Sequence, residues 1–209
     1  MGELLRQGGA MLALILGVGM AAAAIFLERL LHLHRVQIKW NDFLRGIFNV
    51  VQRGNVAEAV SLCEEAGGPV AQMARAAILR HDEGPEQIRR AVEETGRAEI
   101  PRLERNMPLL ATLAHVAPVL GLLGTVLGLI QVLLAIQQKA PLVHVGDLAG
   151  GLWQALLATA AGLAVAIPAY AGYNLLVTRV ESVTLDMERA AAEILAFLTR
   201  NGGPRKEAA

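Results

Sequence analysis

Apolar and polar positions separate along this chain into long blocks. Uncharged apolar runs cover Gly8 to Leu27, Asn106 to Gln138 and Leu148 to Thr178. A membrane-crossing helix needs about 20 mostly apolar residues, so the pattern predicts three spans. The second and third runs exceed that length, and their ends project beyond the hydrocarbon. Between the first two runs the pattern changes to helical periodicity. Trp40, Phe43, Leu44, Ile47, Phe48 and Val51 recur at spacings of three and four, an amphipathic helix stopped by Gly54-Asn55. A short helix follows from Val56 to Ala66, ended by Gly67-Gly68-Pro69, and another from Val70 to His81, ended around Gly84-Pro85. From Glu86 a charged helix runs toward the second span, with Pro101 and Pro108 expected to bend it rather than break it. No stretch alternates as a strand would. The tail from Gly202 to Ala209 reads as disordered.

The predicted fold is an all-α membrane protein: three transmembrane helices, with long helices extending into the cytoplasm and a helical cytoplasmic domain. Its segments are an outward-facing N-terminus with the first span (1–31), a cytoplasmic helical domain (32–107), the second span (108–138), a short external loop (139–147), the third span (148–178), and a cytoplasmic helix with its tail (179–209).

Composition adds little to the blocks: 54% hydrophobic residues, 18% charged, and zero net charge. The distribution of charge sets the orientation. Eleven Lys/Arg lie between Arg35 and Arg105 and five follow Thr178, whereas the other side holds Arg6 and Lys139. By the positive-inside rule the middle segment and the tail are cytoplasmic, and the N-terminus and the loop from Lys139 to Asp147 face outward. Eleven acidic residues offset the eleven basic ones in the middle segment, which argues against nucleic-acid binding. The first run is read as an uncleaved span. Its apolar part is longer than a signal peptide's, and Ile25-Phe-Leu27 carries it past the small residues Ala21 to Ala24.

The second and third spans are unlike simple lipid anchors, because each carries a face of small residues. Ala117, Gly121 and Thr125 are spaced by four, with Gly128 three further on and Gly124 completing a GxxxG pair with Gly128. On the third span Ala155, Thr159, Gly162, Ala166 and Ala169 follow spacings of four, three, four and three. Small residues let helix backbones approach closely where no water drives association. These faces are the candidate helix-packing and oligomer surfaces. Each carries one threonine at mid-depth. On spacing alone, Thr125 and Thr159 either bond their own helix backbone or face protein or a pore. Gln154 opens the third span, placed to bond across helices or to reach the outer interface. Neither span holds Asp, Glu, Lys or Arg in its interior, so any membrane-embedded carboxylate must come from a partner.

Other chemistry is sparse. Cys63 is the only cysteine and reads as a buried structural thiol. His32 and His34 lie on different helix faces near the membrane surface, as interfacial residues. No cluster suggests a metal or cofactor, and no nucleophile–base set suggests an enzyme.

Several stretches resemble a known family. Leu122-Leu-Gly-Thr-Val126 followed by Gly128, and Ala155-Leu-Leu-Ala-Thr-Ala-Ala-Gly-Leu-Ala-Val-Ala-Ile-Pro-Ala169 with Tyr173-Asn174, look like the MotA/TolQ/ExbB proton-channel family. So do the exit from the first span, Ile25-Phe-Leu-Glu-Arg-Leu30, and Gly54-Asn-Val-Ala-Glu-Ala-Val-Ser-Leu-Cys63. Three spans with a large first cytoplasmic loop resemble the ExbB/TolQ branch rather than the four-span flagellar stators. The resemblance implies a pentamer around a pore lined by the second and third spans. Inside it would sit a dimer of a single-span ExbD- or TolR-like partner with a membrane Asp. Thr125 and Thr159 match the family's pore-facing threonines. Ion flow, of H⁺ or Na⁺, would drive rotation in the inner membrane and energise a TonB- or TolA-like protein. Many ExbB-like members carry Glu where this chain has Gln154, and Gln cannot ionise. Two other classes remain: a passive membrane scaffold using the same packing, and a solute-transporter subunit, for which no internal repeat is visible.

Overall fold

The computed structural model describes residues 2–36, 40–139 and 144–201, and the side chains of all of these except 2–9, 35, 36, 145, 147, 200 and 201. The tail expected to be disordered, and the turn of the outer loop, lie outside the described residues. Seven α-helices and no strand occur among the described residues: α1 Gly2–Val36, α2 Trp40–Gln52, α3 Val56–Ala66, α4 Gly68–Leu79, α5 Pro85–Leu103, α6 Met107–Lys139 and α7 Val145–Asn201. Three helical stretches are long and apolar enough to cross a membrane: Ala10–His34, a stretch within Pro85–Lys139, and Leu148–Thr199. The all-α membrane architecture read from the sequence is the one observed.

The chain divides into two compact units. One takes the residues up to Leu30 with Asn106–Leu176, and the other takes Leu31–Arg105 with the residues from Val177 on. The first unit is built from α1, α6 and the first part of α7. Its inward positions are Leu12, Ile15 and Ala22 on α1, Leu110, Ala114 and Ala117 on α6, and Ala155, Ala158 and Ala166 on α7. The large residues of these helices point the other way. Val119, Leu122, Leu133, Leu156 and Ile167 are exposed, as expected of helices whose surroundings are apolar rather than aqueous. Further along α1, Arg29 is buried and meets Glu28 at 3.5 Å. The other oxygen of Glu28 accepts from Asn106 Nδ2 at 3.3 Å, which ties α1 to the residue just before α6.

The second unit packs α2 to α5 with the distal part of α7. On that part, Val180, Val183, Met187, Ala190, Ile194 and Leu198 are buried, the three- and four-residue spacing of a helix with one apolar face. Phe197 stacks on Phe48 of α2 with ring centroids 4.0 Å apart, and Gly96 of α5 is close-packed between Met73 and Met187. Helix α3 begins with Asn55, whose side chain accepts from the Glu58 amide at 3.4 Å and donates to the Glu58 carboxylate at 2.6 Å. This is a relative of the reciprocal cap in which a residue at the third helical position answers the first.

Two local expectations give way. Gly67-Gly68-Pro69 was expected to separate α3 and α4. Gly67 and Gly68 do so, both left-handed at φ 63° and 77°, but Pro69 does not: α4 runs from Gly68 with Pro69 in its first turn. Proline has no amide to lose there, and its fixed φ suits a helix start. Between α5 and α6 there is a full break at residues 104–106 rather than a bend. Pro101 stays inside α5, Pro108 is the second residue of α6, and the interruption falls on Asn106 at φ 64°. Asparagine tolerates this left-handed conformation better than most residues.

Candidate functional site

The small-residue faces of α6 and α7 meet each other within one chain. A Cβ placed on Gly162 would lie 2.7 Å from the Ala117 carbonyl oxygen and 2.9 Å from Gly121 Cα. One placed on Gly121 would lie 3.1 Å from the Ala158 oxygen and 3.3 Å from Gly162 Cα. Backbone therefore packs on backbone, a distance that only glycine permits. Toward the C-terminal end of α6, a Cβ placed on Gly128 would lie 2.7 Å from Ala155 Cβ and 2.9 Å from the Gly151 carbonyl oxygen, and one on Gly124 would press on Ala158. Ala117, Gly121, Gly124, Gly128, Ala155, Gly162 and Ala166 are all buried. The nearest atoms at the four glycines lie on α6, α7 or, for Gly124, also Met11 of α1. The two small-residue faces thus pack on each other inside one chain.

The same crossing brings the two threonines together. The hydroxyls of Thr125 and Thr159 are hydrogen-bonded to each other. Each also reaches two carbonyl oxygens, one on either helix. Thr125 Oγ1 lies 3.2 Å from the Gly121 oxygen and 3.4 Å from the Ala155 oxygen, and Thr159 Oγ1 lies 3.2 and 3.5 Å from the same two atoms. The choice between own-helix bonding and a cross-helix role is thus not exclusive, because both occur. Both side chains are half-buried. The pair is a compact group of hydroxyls and carbonyls in the middle of two uncharged helices. It can accept, donate and reorient hydrogen bonds, and it carries no charge of its own. Gln154 is half-buried one residue before Ala155 and already engaged by a partner.

A second polar feature lies nearer the N-terminal end of α6, and the sequence reading passed over it. His115 Nδ1 lies 2.7 Å from the Ala111 carbonyl oxygen, and its ring meets Tyr170 of α7 edge-on, centroids 5.5 Å apart. The two line an open cleft of about 530 Å³ with Ala114, Pro118, Ile167 and Asn174. The available signal was the histidine itself, since an ionisable residue inside a span is a candidate functional group by default. Metal-binding clusters of His, Cys, Asp and Glu are absent among the described residues. On α3, Cys63 is fully buried, and burial pushes its thiol up to about 11, with nearby Arg75 pulling down and Glu64 pushing up.

Comparisons with known proteins agree with this architecture. The putative biopolymer transport protein ExbB-like 3 of Synechocystis is 29% identical over 161 residues, covering 77% of each chain. The Tol-Pal system protein TolQ of Haemophilus influenzae is 40% identical over 113 residues, which is 53% of this chain and 48% of that one. An ExbB homolog of Methanothermobacter thermautotrophicus is 26% identical and is covered over 63% of its length. The chain thus spans between about half and three-quarters of these relatives. In fold, it superposes on a chain of the C. jejuni MotAB structure with a TM-score of 0.66 at 16% identity, covering 97% of this chain and 81% of that one. Residues 65–189, more than half of the sequence and including α6 and most of α7, match one family throughout, so the chain belongs to the MotA/TolQ/ExbB proton channel family.

Proposed function

We propose that this chain is the ion-conducting subunit of an inner-membrane motor driven by the proton motive force. Five copies surround a pore lined by α6 and α7, and a single-span ExbD- or TolR-like partner supplies a membrane Asp. The motion is passed to a TonB- or TolA-like protein, with α2 to α5 and the distal part of α7 on the cytoplasmic side. The observation that carries the reading is the hydroxyl pair Thr125–Thr159 in spans free of Asp, Glu, Lys and Arg. A passing proton needs a group that accepts and donates without holding it as a charge, and a hydroxyl does both. A gradient of about 100 mV supplies roughly 2.3 kcal/mol per charge, so several ions per mechanical step suffice.

The test is Thr125→Val and Thr159→Val in the complex with its partner. Valine keeps the shape and removes the hydroxyl. Both variants assemble and lose most energised function, Thr→Ser retains more, and Gln154→Ala has a milder effect because Gln carries no charge to lose. Proton flux is measured in proteoliposomes beside a check on assembly. Wild-type flux in both Val variants would reduce the threonines to packing groups and favour a passive scaffold.

A further inference from the structure

We propose that His115 is a proton-carrying station on this chain's ion path, one that rests on the channel reading above. Its imidazole Nε2 takes a proton from water in the cleft it shares with Tyr170 and returns it to water at the N-terminal end of α6. The ring passes from imidazole to imidazolium and back with no net change.

Position comes first. The uncharged runs of α1, α6 and α7 contain a single side chain of the kind that changes charge between pH 5 and 8, and it is His115. From α7, the titratable side chains in the run are Tyr170 and Tyr173, their rings 6.5 Å apart. α1 contributes none between Gly8 and Leu27, and α6 no other from Asn106 to Gln138. His115 precedes Thr125 by ten residues and Tyr170 follows Thr159 by eleven, so both sit roughly 15 Å along the helix axes from the threonine pair, toward the same end.

The ring's orientation comes next. A carbonyl oxygen only accepts, so at 2.7 Å from the Ala111 oxygen His115 Nδ1 carries the hydrogen and donates it. In the neutral ring the lone pair then falls on Nε2, the nitrogen left to bind a proton. The edge-to-face contact with Tyr170 limits rotation of the ring. His115 and Tyr170 are both exposed in the chain, so the ring is not enclosed by the packing of its own helices.

The cleft also supplies polar partners for water. Pro118 has no amide hydrogen to give the carbonyl four residues earlier, and that carbonyl belongs to Ala114, which lines the cleft with Asn174 and Tyr170. A site holds water when it has room and two to four polar partners. A volume of about 530 Å³ gives the room. A structural histidine would need only the Ala111 bond, and nothing in that role calls for an exposed ring on a cleft shared with Tyr170 and Asn174.

The test has two arms. The full chain, labelled with ¹⁵N-histidine and held in lipid nanodiscs, is titrated by NMR, with the His115 signal assigned by its loss in His115→Gln. The expected result is that Nε2 gains a proton as the pH is lowered while Nδ1 stays protonated. A His115 signal that does not change with pH overturns the proposal whether or not the chain conducts. In the second arm, proton flux through the complex is measured against pH on the side of the α6 N-terminus. Wild type shows a step in its profile, and His115→Gln assembles normally and loses the step. An unchanged profile in His115→Gln removes the histidine from the path. A wild-type complex that carries no protons at any pH overturns the channel reading and the path with it, and the NMR arm then reports separately whether the ring binds protons.

Discussion

Gly162 of α7 lies so close to Gly121 of α6 that a single added methyl on Gly162 would sit 2.9 Å from the Gly121 Cα and 2.7 Å from the Ala117 carbonyl oxygen. The neighbours are backbone atoms, which cannot swing aside as a side chain does. Two helices are therefore held at the separation that hydrogen sets where others have a carbon.

Substitution at this crossing is expected to act on the protomer before it acts on any assembly. Gly162→Ala should destabilise the chain by about 1–3 kcal/mol, the usual cost of forcing volume into a packed site, and Gly162→Leu by more. Gly17 of α1 has open space around it. Gly17→Ala should be neutral, or should stabilise by up to about 1 kcal/mol through helix propensity. Thermal unfolding in detergent, followed by circular dichroism, compares the two. Equal effects at both positions would mean that the close approach does not govern stability.

Asn106 offers a backbone test. Its φ of 64° is left-handed, so Asn106→Gly relieves the conformation at the expense of the Glu28 hydrogen bond, and little net change follows. Asn106→Val should cost at least about 1–2 kcal/mol, because a β-branched residue is disfavoured there. Both variants lose that side-chain bond, so urea unfolding that ranks them equal would mean the left-handed backbone at this position carries no cost.

Cys63 provides a pH signature. Its thiol is raised from the ordinary 9.0 to about 11 by desolvation, with Arg75 and Glu64 as smaller opposing influences. The folded chain holds the proton more tightly than the unfolded chain. Stability is therefore fully present below pH 9 and falls as pH rises toward 11, by roughly 1.4 kcal/mol per unit. Cys63→Ala should flatten that slope while costing some packing. An identical alkaline slope in wild type and variant would exclude the thiol as its source.

Burial also spoils Cys63 as a probe of sidedness, because a fully enclosed thiol resists reagents from either face. The orientation is better read from Glu65→Cys and His144→Cys, both at exposed positions, in a Cys63→Ala background. A membrane-impermeant maleimide applied to intact cells should label the cysteine at 144 and spare the one at 65. The opposite pattern would invert the topology.

Much of this fold was legible because its signals are local. Three uncharged runs announce the spans, and the periodicity from Trp40 to Val51 announces α2. Asn55 marks the start of α3, and Gly67 its end. The misread positions were the prolines. Pro69 and Pro108 look like breakers in a sequence, yet in a helix's first turn proline gives up nothing. The true interruption fell on Glu104-Arg105-Asn106, which carries no strong signal. Spacing put Thr125 and Thr159 on the two small-residue faces, and the structure joins their hydroxyls. What spacing left open was whether the small faces meet within a chain or between chains, since both demand the same residues. The contact of His115 with Tyr170 was beyond reach, because it depends on the register of two helices 55 positions apart in sequence.

The Thr125–Thr159 pair carries an arithmetic of its own. Two hydroxyls own two hydrogens, while their surroundings present two carbonyl acceptors and each other's lone pairs. One hydrogen spans the pair and the second goes to a carbonyl, and either oxygen can take either part. The heavy atoms stay where they are while the chain of hydrogen bonds points one way or the other along the crossing. The centre of this helix pair thus has a direction that is stored only in hydrogen positions, and a rotation about two Cβ–Oγ bonds is enough to reverse it.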